Sequence, residues 1–119
     1  MGRELNVLDE QFARLNCAVF LEGKIWRFKI LSDHPEMNGK LDLIKDTLKN
    51  CPKNAQGEGV YEKTDNPRKF FIQRRTPYFM PLNDFLRITL VWIDSSRSRA
   101  CITSAYPVNG LPIKGVKPL

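Results

Sequence analysis

The feature that most constrains the fold is a succession of four strand-like segments in the second half of the chain. Aromatic and β-branched residues are concentrated in ranges 60–63, 69–75, 85–93 and 99–106, a composition that favours β-strands. The polar range 94–98 between the last two segments predicts a turn, and therefore an antiparallel hairpin. Range 76–84 holds two prolines and predicts a longer connection. These patterns indicate a four-stranded antiparallel sheet.

Helical spacing dominates the first half of the chain. Apolar residues in range 4–16 recur at the spacing of one helix face and predict a short amphipathic helix: Leu5, Leu8, Phe12 and Leu15. Range 18–22 is typical of a short strand, and Gly23-Lys24 of a turn. Range 39–49 is the clearest helix, with Leu41, Ile44 and Leu48 on one face.

The ends of that helix are also indicated. Asn38 is its expected N-cap, and Asn50-Cys51-Pro52 ends it. The last nine residues carry too many prolines and glycines to predict an element. Helices first and a meander of strands afterwards predict an α+β fold.

Length and composition limit the classes of protein. A chain of 119 residues is expected to be a single domain, 1–119. No apolar run approaches the roughly 18–20 residues that span a bilayer, and the N-terminus lacks the basic-then-apolar order of a secretory signal. We therefore expect a cytoplasmic protein with no membrane partner. Three cysteines without CxxC spacing and one histidine predict neither a disulfide framework nor a zinc site.

A net charge of +6 favours contact with phosphate polymers, although many basic proteins bind no nucleic acid. The strand alternation suggests where such contact would occur. In range 85–93 the alternate residues Leu86, Ile88, Leu90 and Trp92 are all apolar and predict the core face. Arg87 and Thr89 then lie on the opposite face. By the same alternation Ile102, Ser104 and Tyr106 share one face of the last strand, and either Arg74 or Arg75 reaches the exposed face.

These residue types suit the cleavage of RNA without a metal. The reaction needs a base for the 2′-OH proton, a cation beside the phosphorane and an acid for the leaving 5′-oxygen. Histidine changes charge near neutral pH, and His34 lies at a break because Pro35 disfavours helical geometry before it. Each residue also has a simpler interpretation: a loop histidine, a strand-end tyrosine before Pro107, or a solvated arginine pair. No dense carboxylate or histidine cluster indicates a metal-dependent nuclease, and no cofactor motif is present.

The order of several short motifs resembles a known superfamily. Gly23-Lys24 is followed by His34-Pro35-Glu36, then by a helix closing on Leu48-Lys49-Asn50 and a proline, and finally by Ser104-Ala105-Tyr106-Pro107. Over residues 20–108 this order is similar to that of the barnase–EndoU–colicin–RelE superfamily of small metal-independent ribonucleases and toxins, in particular its prokaryotic and phage nuclease group. The resemblance implies an α+β fold with N-terminal helices packed on a curved four-stranded antiparallel sheet, and RNA on the open face of that sheet.

The resemblance also implies roles for particular residues. It places the family's histidine at His34, its strand arginine at Arg74 or Arg75, its hydroxyl at Ser104 and its tyrosine at Tyr106. Arg87 is a third candidate for the arginine, and Arg87 and Thr89 are expected to bind substrate. The implied activity is an endoribonuclease of the toxin type that leaves a 2′,3′-cyclic phosphate.

Two other classes of function remain open. One is a non-catalytic RelE- or ParE-like toxin or binding module that blocks a nucleic-acid or protein target. The other is a plain interaction or phage accessory domain. For a toxin, an acidic antitoxin or immunity protein is the expected partner, because opposite charge speeds capture.

Overall fold

The computed structural model describes residues 5–112 and 114–119. Their strands form a seven-stranded sheet in the spatial order β1-β2-β6-β5-β4-β3-β7. Neighbouring strands are antiparallel except for β2 and β6, which are parallel. The strands are β1 (Asn6–Phe12), β2 (Cys17–Glu22), β3 (Gly59–Lys63), β4 (Asn66–Arg75), β5 (Phe85–Trp92), β6 (Arg99–Val108) and β7 (Val116–Pro118).

Two helical segments lie between β2 and β3. The first, α1, covers residues 23–33 and consists of an α-helical turn (Gly23–Ile25), a π-helical segment (Trp26–Ile30) and a second α-helical turn (Leu31–Asp33). The second, α2, covers Leu41–Lys49. Single 3₁₀ turns occupy Ala13–Leu15, Pro35–Met37 and Pro77–Phe79. None of the helices in ranges 5–112 and 114–119 is long and apolar enough to cross a membrane.

One face of the sheet packs against both helical segments. Trp26 and Ile30 of α1, and Ile44 and Leu48 of α2, are buried in the same apolar cluster as the inward side chains of the strands. Those strand residues include Leu86, Ile88, Leu90 and Trp92, the set predicted from alternation in β5. We call this side of the sheet the core face. The other side, the polar face, carries Gln73, Arg87, Thr89, Thr103 and Tyr106.

The predicted fold class is wrong. The prediction was N-terminal helices on a four-stranded antiparallel sheet. The described residues instead form a mixed sheet of seven strands, and the short helical segments lie between β2 and β3 in the sequence. The antiparallel array β3–β6 corresponds to the four predicted strands, but β1 and β2 extend it at one edge and β7 at the other. The final range, for which no element was predicted, supplies β7, which pairs with β3.

The largest error concerns range 4–16, which was predicted to be helical; Glu4 lies outside the described residues. The range forms β1 and a 3₁₀ turn, and β1 pairs with β2 through a connection in which Asn16 is left-handed (φ 52°). Leu8 and Phe12 suit either structure, because a spacing of four places two side chains on one face of a helix or of a strand. Leu5 decides between them: it is 77% exposed, so it is not part of a buried helical stripe.

Two boundary predictions also change. Gly23-Lys24 begins α1 and is not a turn. The residue before α2 is Lys40 and not the expected cap Asn38, since a 3₁₀ turn and Gly39 (φ 78°) intervene. The predicted end of this helix is confirmed, because α2 stops at Lys49.

A bulge in β6 changes which residues share a face. Thr89 of β5 lies opposite Ser104, whereas the next residue, Leu90, lies opposite Ile102, so Thr103 is an extra residue in β6. Ile102 and Ala105 are both fully buried although they are three residues apart. The prediction that Ile102 shares a face with Ser104 and Tyr106 is therefore wrong: Ile102 is on the core face, and the other two are on the polar face.

Substitution of Leu8 and Leu5 tests the revised N-terminal structure. Leu8 is 2% exposed and Leu5 is 77% exposed. We expect Leu8→Ala to lower the free energy of unfolding by about 2–5 kcal/mol, the usual cost of truncating a buried leucine. Leu5→Ala should leave that free energy nearly unchanged. Urea denaturation measures both, and equal losses would indicate the helix in place of the strand.

The turn between β5 and β6 is built around Asp94. Its carboxylate accepts hydrogen bonds from the hydroxyls of Ser98 and Ser96 and from the backbone N–H groups of Ser98 and Arg99. These bonds, led by the one from the Ser98 side chain, lower the pKa of Asp94 to about 2. The ionised carboxylate therefore holds the hairpin that sets the register of β6.

The lowered pKa predicts how stability changes with acidity. A carboxyl whose pKa is lower in the folded state stabilises the fold above its unfolded pKa, near 4, and loses that effect as the pH falls towards 2. We expect Asp94→Ala to be less stable than the wild type at pH 6, with the difference shrinking at pH 2.5. Urea midpoints at both pH values measure this. The control Asp9→Ala, which removes an exposed carboxylate of β1, should lower stability less than Asp94→Ala at pH 6. A difference for Asp94→Ala that stays constant with pH would contradict the assignment.

Candidate functional site on the polar face

The structure brings His34 and Tyr106 into direct contact. Their rings are stacked, with centroids 5.0 Å apart and planes inclined by 21°. Both side chains are half-buried. Within residues 5–112 and 114–119, no hydrogen bond occupies the imidazole nitrogens or the phenol oxygen. An ionisable imidazole and a phenol therefore lie side by side with their polar atoms available to a substrate.

Local structure fixes the position of His34. Its backbone N–H donates to the carbonyl of Ile30 (2.7 Å) and so completes the last turn of α1. Pro35 then begins a 3₁₀ turn in which the N–H of Met37 donates to the carbonyl of His34 (2.9 Å). Ile30 and Met37 are fully buried on either side. The histidine backbone is thus held between two anchored residues, at the break predicted from the following proline.

Tyr106 belongs to β6 and lies directly opposite Arg87 of β5. Side chains of directly opposed residues emerge on the same face of a sheet. Tyr106 is therefore on the polar face, and it lines a pocket of about 200 Å³ there together with Arg87, Thr89 and Thr103. The tyrosine links His34, at the edge of the sheet, to this pocket.

Three hydroxyl side chains lie on β5 and β6, and two of them, Thr89 and Thr103, line the pocket of Tyr106. The Thr89 and Thr103 hydroxyl oxygens are 3.1 Å apart, and each hydroxyl is also within bonding distance of a carbonyl on the opposite strand. Ser104, opposite Thr89, is half-buried. Thr103 follows the buried Ile102 and faces this side, and the bulge brings Tyr106 to the same side, whereas regular alternation would separate the two. Sequence reasoning missed Thr103 for that reason.

Arg87 is on the predicted face, but its guanidinium is engaged within the protein. Nε donates to the Gln73 side chain (2.9 Å), Nη2 donates to the Gly110 carbonyl (2.7 Å), and the guanidinium lies over the Phe71 ring at 4.6 Å. These contacts hold residues 109–112 against the polar face. Arg87 thus contributes positive charge to the pocket while its orientation is fixed by the fold.

The two other arginine candidates lie elsewhere. Arg74 is directed to the helical side of the sheet, where Nη1 contacts the Asp46 carboxylate (2.6 Å) and the Thr47 hydroxyl (3.2 Å) of α2. The hydrogen bond from Arg74 is the main cause of a lowered pKa of Asp46. Arg75 is exposed and lies over the Phe85 ring at 4.6 Å. Neither arginine is brought against His34 and Tyr106 by a contact in the structure.

Two lysines that sequence reasoning missed line the pocket of Tyr106. Lys63 ends β3, and Lys69 precedes Phe71 and Gln73 by two and four residues in β4. Both are exposed. Strand alternation places Lys69 on the face of Gln73, so that signal was present in the sequence.

The Cys101 thiol, on the same side of the sheet, is a weak nucleophile. Burial, and secondarily the charge of Glu22, raises the pKa of the Cys101 thiol, so it is mainly protonated at neutral pH. In the part of the chain that the structure describes, no group of three or more His, Cys, Asp or Glu residues is gathered to hold a metal ion.

The pocket therefore offers hydroxyl groups and ammonium groups, and an acid–base group, His34, lies against its tyrosine. That combination can bind a phosphate and transfer protons to or from its oxygens. Comparison of the chain with known protein families, with curated proteins and with solved structures finds no match.

Arg87 and Arg75 provide a matched pair for testing the packing of residues 109–112. Arg87→Ala removes two hydrogen bonds from a charged donor and should lower the free energy of unfolding by about 2 kcal/mol. Arg75→Ala removes a single exposed cation–π contact, for which about 0.5–1 kcal/mol is expected. Urea denaturation compares the two variants. Equal losses would show that Arg87 does not hold this segment in place.

Proposed function

We propose that the protein is a metal-independent endoribonuclease of the cytoplasm, with its active site at the stacked His34 and Tyr106. The stacking contact is the observation that carries this proposal. It joins residues far apart in the sequence, one from the end of α1 and one from β6, and leaves their polar atoms accessible. Histidine and tyrosine are the side chains in this site able to exchange protons with a reacting phosphate ester.

The proposed reaction is an attack of the internal 2′-OH on the adjacent phosphorus. The new bond joins the 2′-oxygen to phosphorus, and the bond from phosphorus to the 5′-oxygen breaks. His34 accepts the 2′-OH proton, and Tyr106 donates its proton to the departing 5′-oxygen. The products are a 2′,3′-cyclic phosphate and a free 5′-OH, and proton exchange with water restores both residues.

The neighbouring groups support the charged phosphorane. Lys63 and Lys69 supply ammonium groups around the pocket, and the fixed guanidinium of Arg87 adds charge beneath it. The hydroxyls of Thr89, Thr103 and Ser104 can donate to phosphate oxygens. We assign substrate binding to these residues and no catalytic role to Arg74 or Arg75, since Arg74 is paired with Asp46 and Arg75 lies over Phe85.

The basic surface of a toxin of this kind would also bind an acidic antitoxin or immunity protein. Charge complementarity gives rapid capture of such a partner. This assignment follows from the proposed function and is secondary to it.

Cleavage of labelled RNA in EDTA tests the proposal. We expect the wild type to release fragments that end in a 2′,3′-cyclic phosphate. His34→Ala should slow cleavage by roughly 100- to 10,000-fold, because it removes a proton-transfer group. Tyr106→Phe keeps the ring and loses only the hydroxyl, and we expect a loss of roughly 100-fold. Initial rates and end-group analysis of the fragments measure these effects.

A matched control separates the hydroxyl of Tyr106 from general effects of removing a tyrosine hydroxyl. Tyr78→Phe makes the same change at an exposed position outside the pocket of Tyr106 and should cleave at the wild-type rate. Equal rates for the wild type and His34→Ala would refute the role of His34. Binding of RNA without time-dependent cleavage would favour the non-catalytic binding module.

A further inference from the structure

The outward side of α1 is a strip of positive charge with one aromatic ring in it. Lys24, Arg27, Phe28 and Lys29 are all exposed; we call them the α1 strip. Trp26 and Ile30, on the inward side of the same segment, are buried in the core. The helix therefore uses one side for the core and leaves the strip facing solvent.

Phe28 is the unusual member of the strip. Its side chain is 75% exposed, and the Arg27 guanidinium lies 5.6 Å from the centre of its ring. A single exposed apolar residue is ordinary on a protein surface. An exposed ring with cations in the same turn can bind a nucleic-acid strand, because bases stack on aromatic side chains and basic groups bind the phosphate backbone.

The strip belongs to the helical segment that ends beside His34, and this segment contacts β6. The positive charges of Lys29 and Arg99 act on the Cys101 thiol of β6 and oppose the rise in its pKa that burial and Glu22 cause. Arg99 lies over the Phe20 ring of β2 at 4.9 Å. Phe28 precedes His34 by six residues, which corresponds to about 9 Å along a helix axis. The strip is thus connected to the proposed active site through α1, whereas Arg99 and Phe20 lie towards the beginning of β6.

We propose that the α1 strip binds single-stranded RNA, with a base stacked on Phe28 and the backbone phosphates bound by Lys24 and Lys29. The inference rests on the proposed function, because the bound strand is the substrate led to His34 and Tyr106. Single-stranded RNA is the substrate class because a base offers its face to a side chain only when it is unstacked. A duplex would contact the lysines but not the ring.

An anionic membrane is the other surface that attracts basic residues. Binding of a helix in a bilayer interface requires a broad apolar face directed to the lipid. In α1 the apolar side chains Trp26 and Ile30 are buried against the sheet, which leaves the single ring of Phe28. The charge and apolar area of the strip therefore favour a nucleic-acid strand over lipid.

Binding of a labelled 12-nucleotide RNA with 2′-O-methyl groups tests the inference. That oligonucleotide has no free 2′-OH within the strand, so it reports binding in the absence of cleavage. We expect Phe28→Ala to weaken binding by about 10-fold or more, the effect of losing one stacked base. Phe28→Trp should restore binding, and Lys29→Ala should reduce the salt dependence by about one counterion. Fluorescence anisotropy at several salt concentrations measures all of these.

The control variant is Leu82→Ala, which removes another exposed apolar side chain (79% exposed) outside α1 and should bind as the wild type does. The same sequence in duplex form should show no effect of Phe28→Ala. Unchanged binding of the single strand by Phe28→Ala would overturn the inference, as would Phe28-dependent binding to phosphatidylserine vesicles without binding to RNA.

The outcomes for the two proposals are distinguishable. Cleavage of RNA by the wild type, together with normal single-strand binding by Phe28→Ala, would leave the ribonuclease and remove the role of the α1 strip. Phe28-dependent binding of the 2′-O-methyl strand, together with stable unmodified RNA, would leave the strip and remove the ribonuclease.

Discussion

The pairing of β5 with β6 determines both faces of the sheet. Its hairpin is held by the Asp94 carboxylate, and its register contains one extra residue, Thr103. Ile102, before the bulge, and Ala105, after it, are both directed to the core. Without the extra residue, every side chain after it in β6 would point to the opposite face, and Tyr106 would be on the core face. A local irregularity of one residue therefore places the phenol on the side that His34 can reach, a use that bulges have near functional sites.

The second condition for the site is the path of the chain after β2. Only the first half of β2 pairs with β6, over Ala18–Phe20 and Arg99–Cys101. Beyond that point α1 packs beside β6, with Trp26 and Ile30 in the core. The last turn of α1 consequently lies next to the end of β6. His34 and Tyr106 are neighbours because the parallel pairing ends early and a helical segment follows the strand edge.

Parts of this arrangement could be predicted from the sequence. The strands in the second half of the chain and the inward side chains of β5 follow from the alternation of apolar residues. The helix α2 follows from its apolar spacing. Both can be predicted because burial of one face leaves a periodic pattern within each element. The β1–β2 hairpin could not be separated from a helix, because Leu8 and Phe12 fit both periods and the pairing of β1 with β2 leaves no signal in the spacing of either strand. The bulge at Thr103 leaves no periodic signal. The resemblance placed His34 and Tyr106 in one site, and the structure shows their contact, while their chemical roles stay predictions.

Three arginines of this protein differ in position from the two lysines of the Tyr106 pocket, and the difference bears on how a phosphate would be bound. Arg74 joins β4 to α2, Arg87 fixes residues 109–112, and Arg97 pairs with the buried Glu62. The planar guanidinium suits such fixed, multiple contacts. Lys63 and Lys69 remain exposed at the pocket of Tyr106. An ammonium group attracts a phosphate as a point charge and orients it weakly. In the proposed ribonuclease, the lysines would therefore attract the RNA phosphates without orienting them. The orientation of the scissile phosphate would depend on the hydroxyls of Thr89 and Thr103 and on stacking of an RNA base on Phe28.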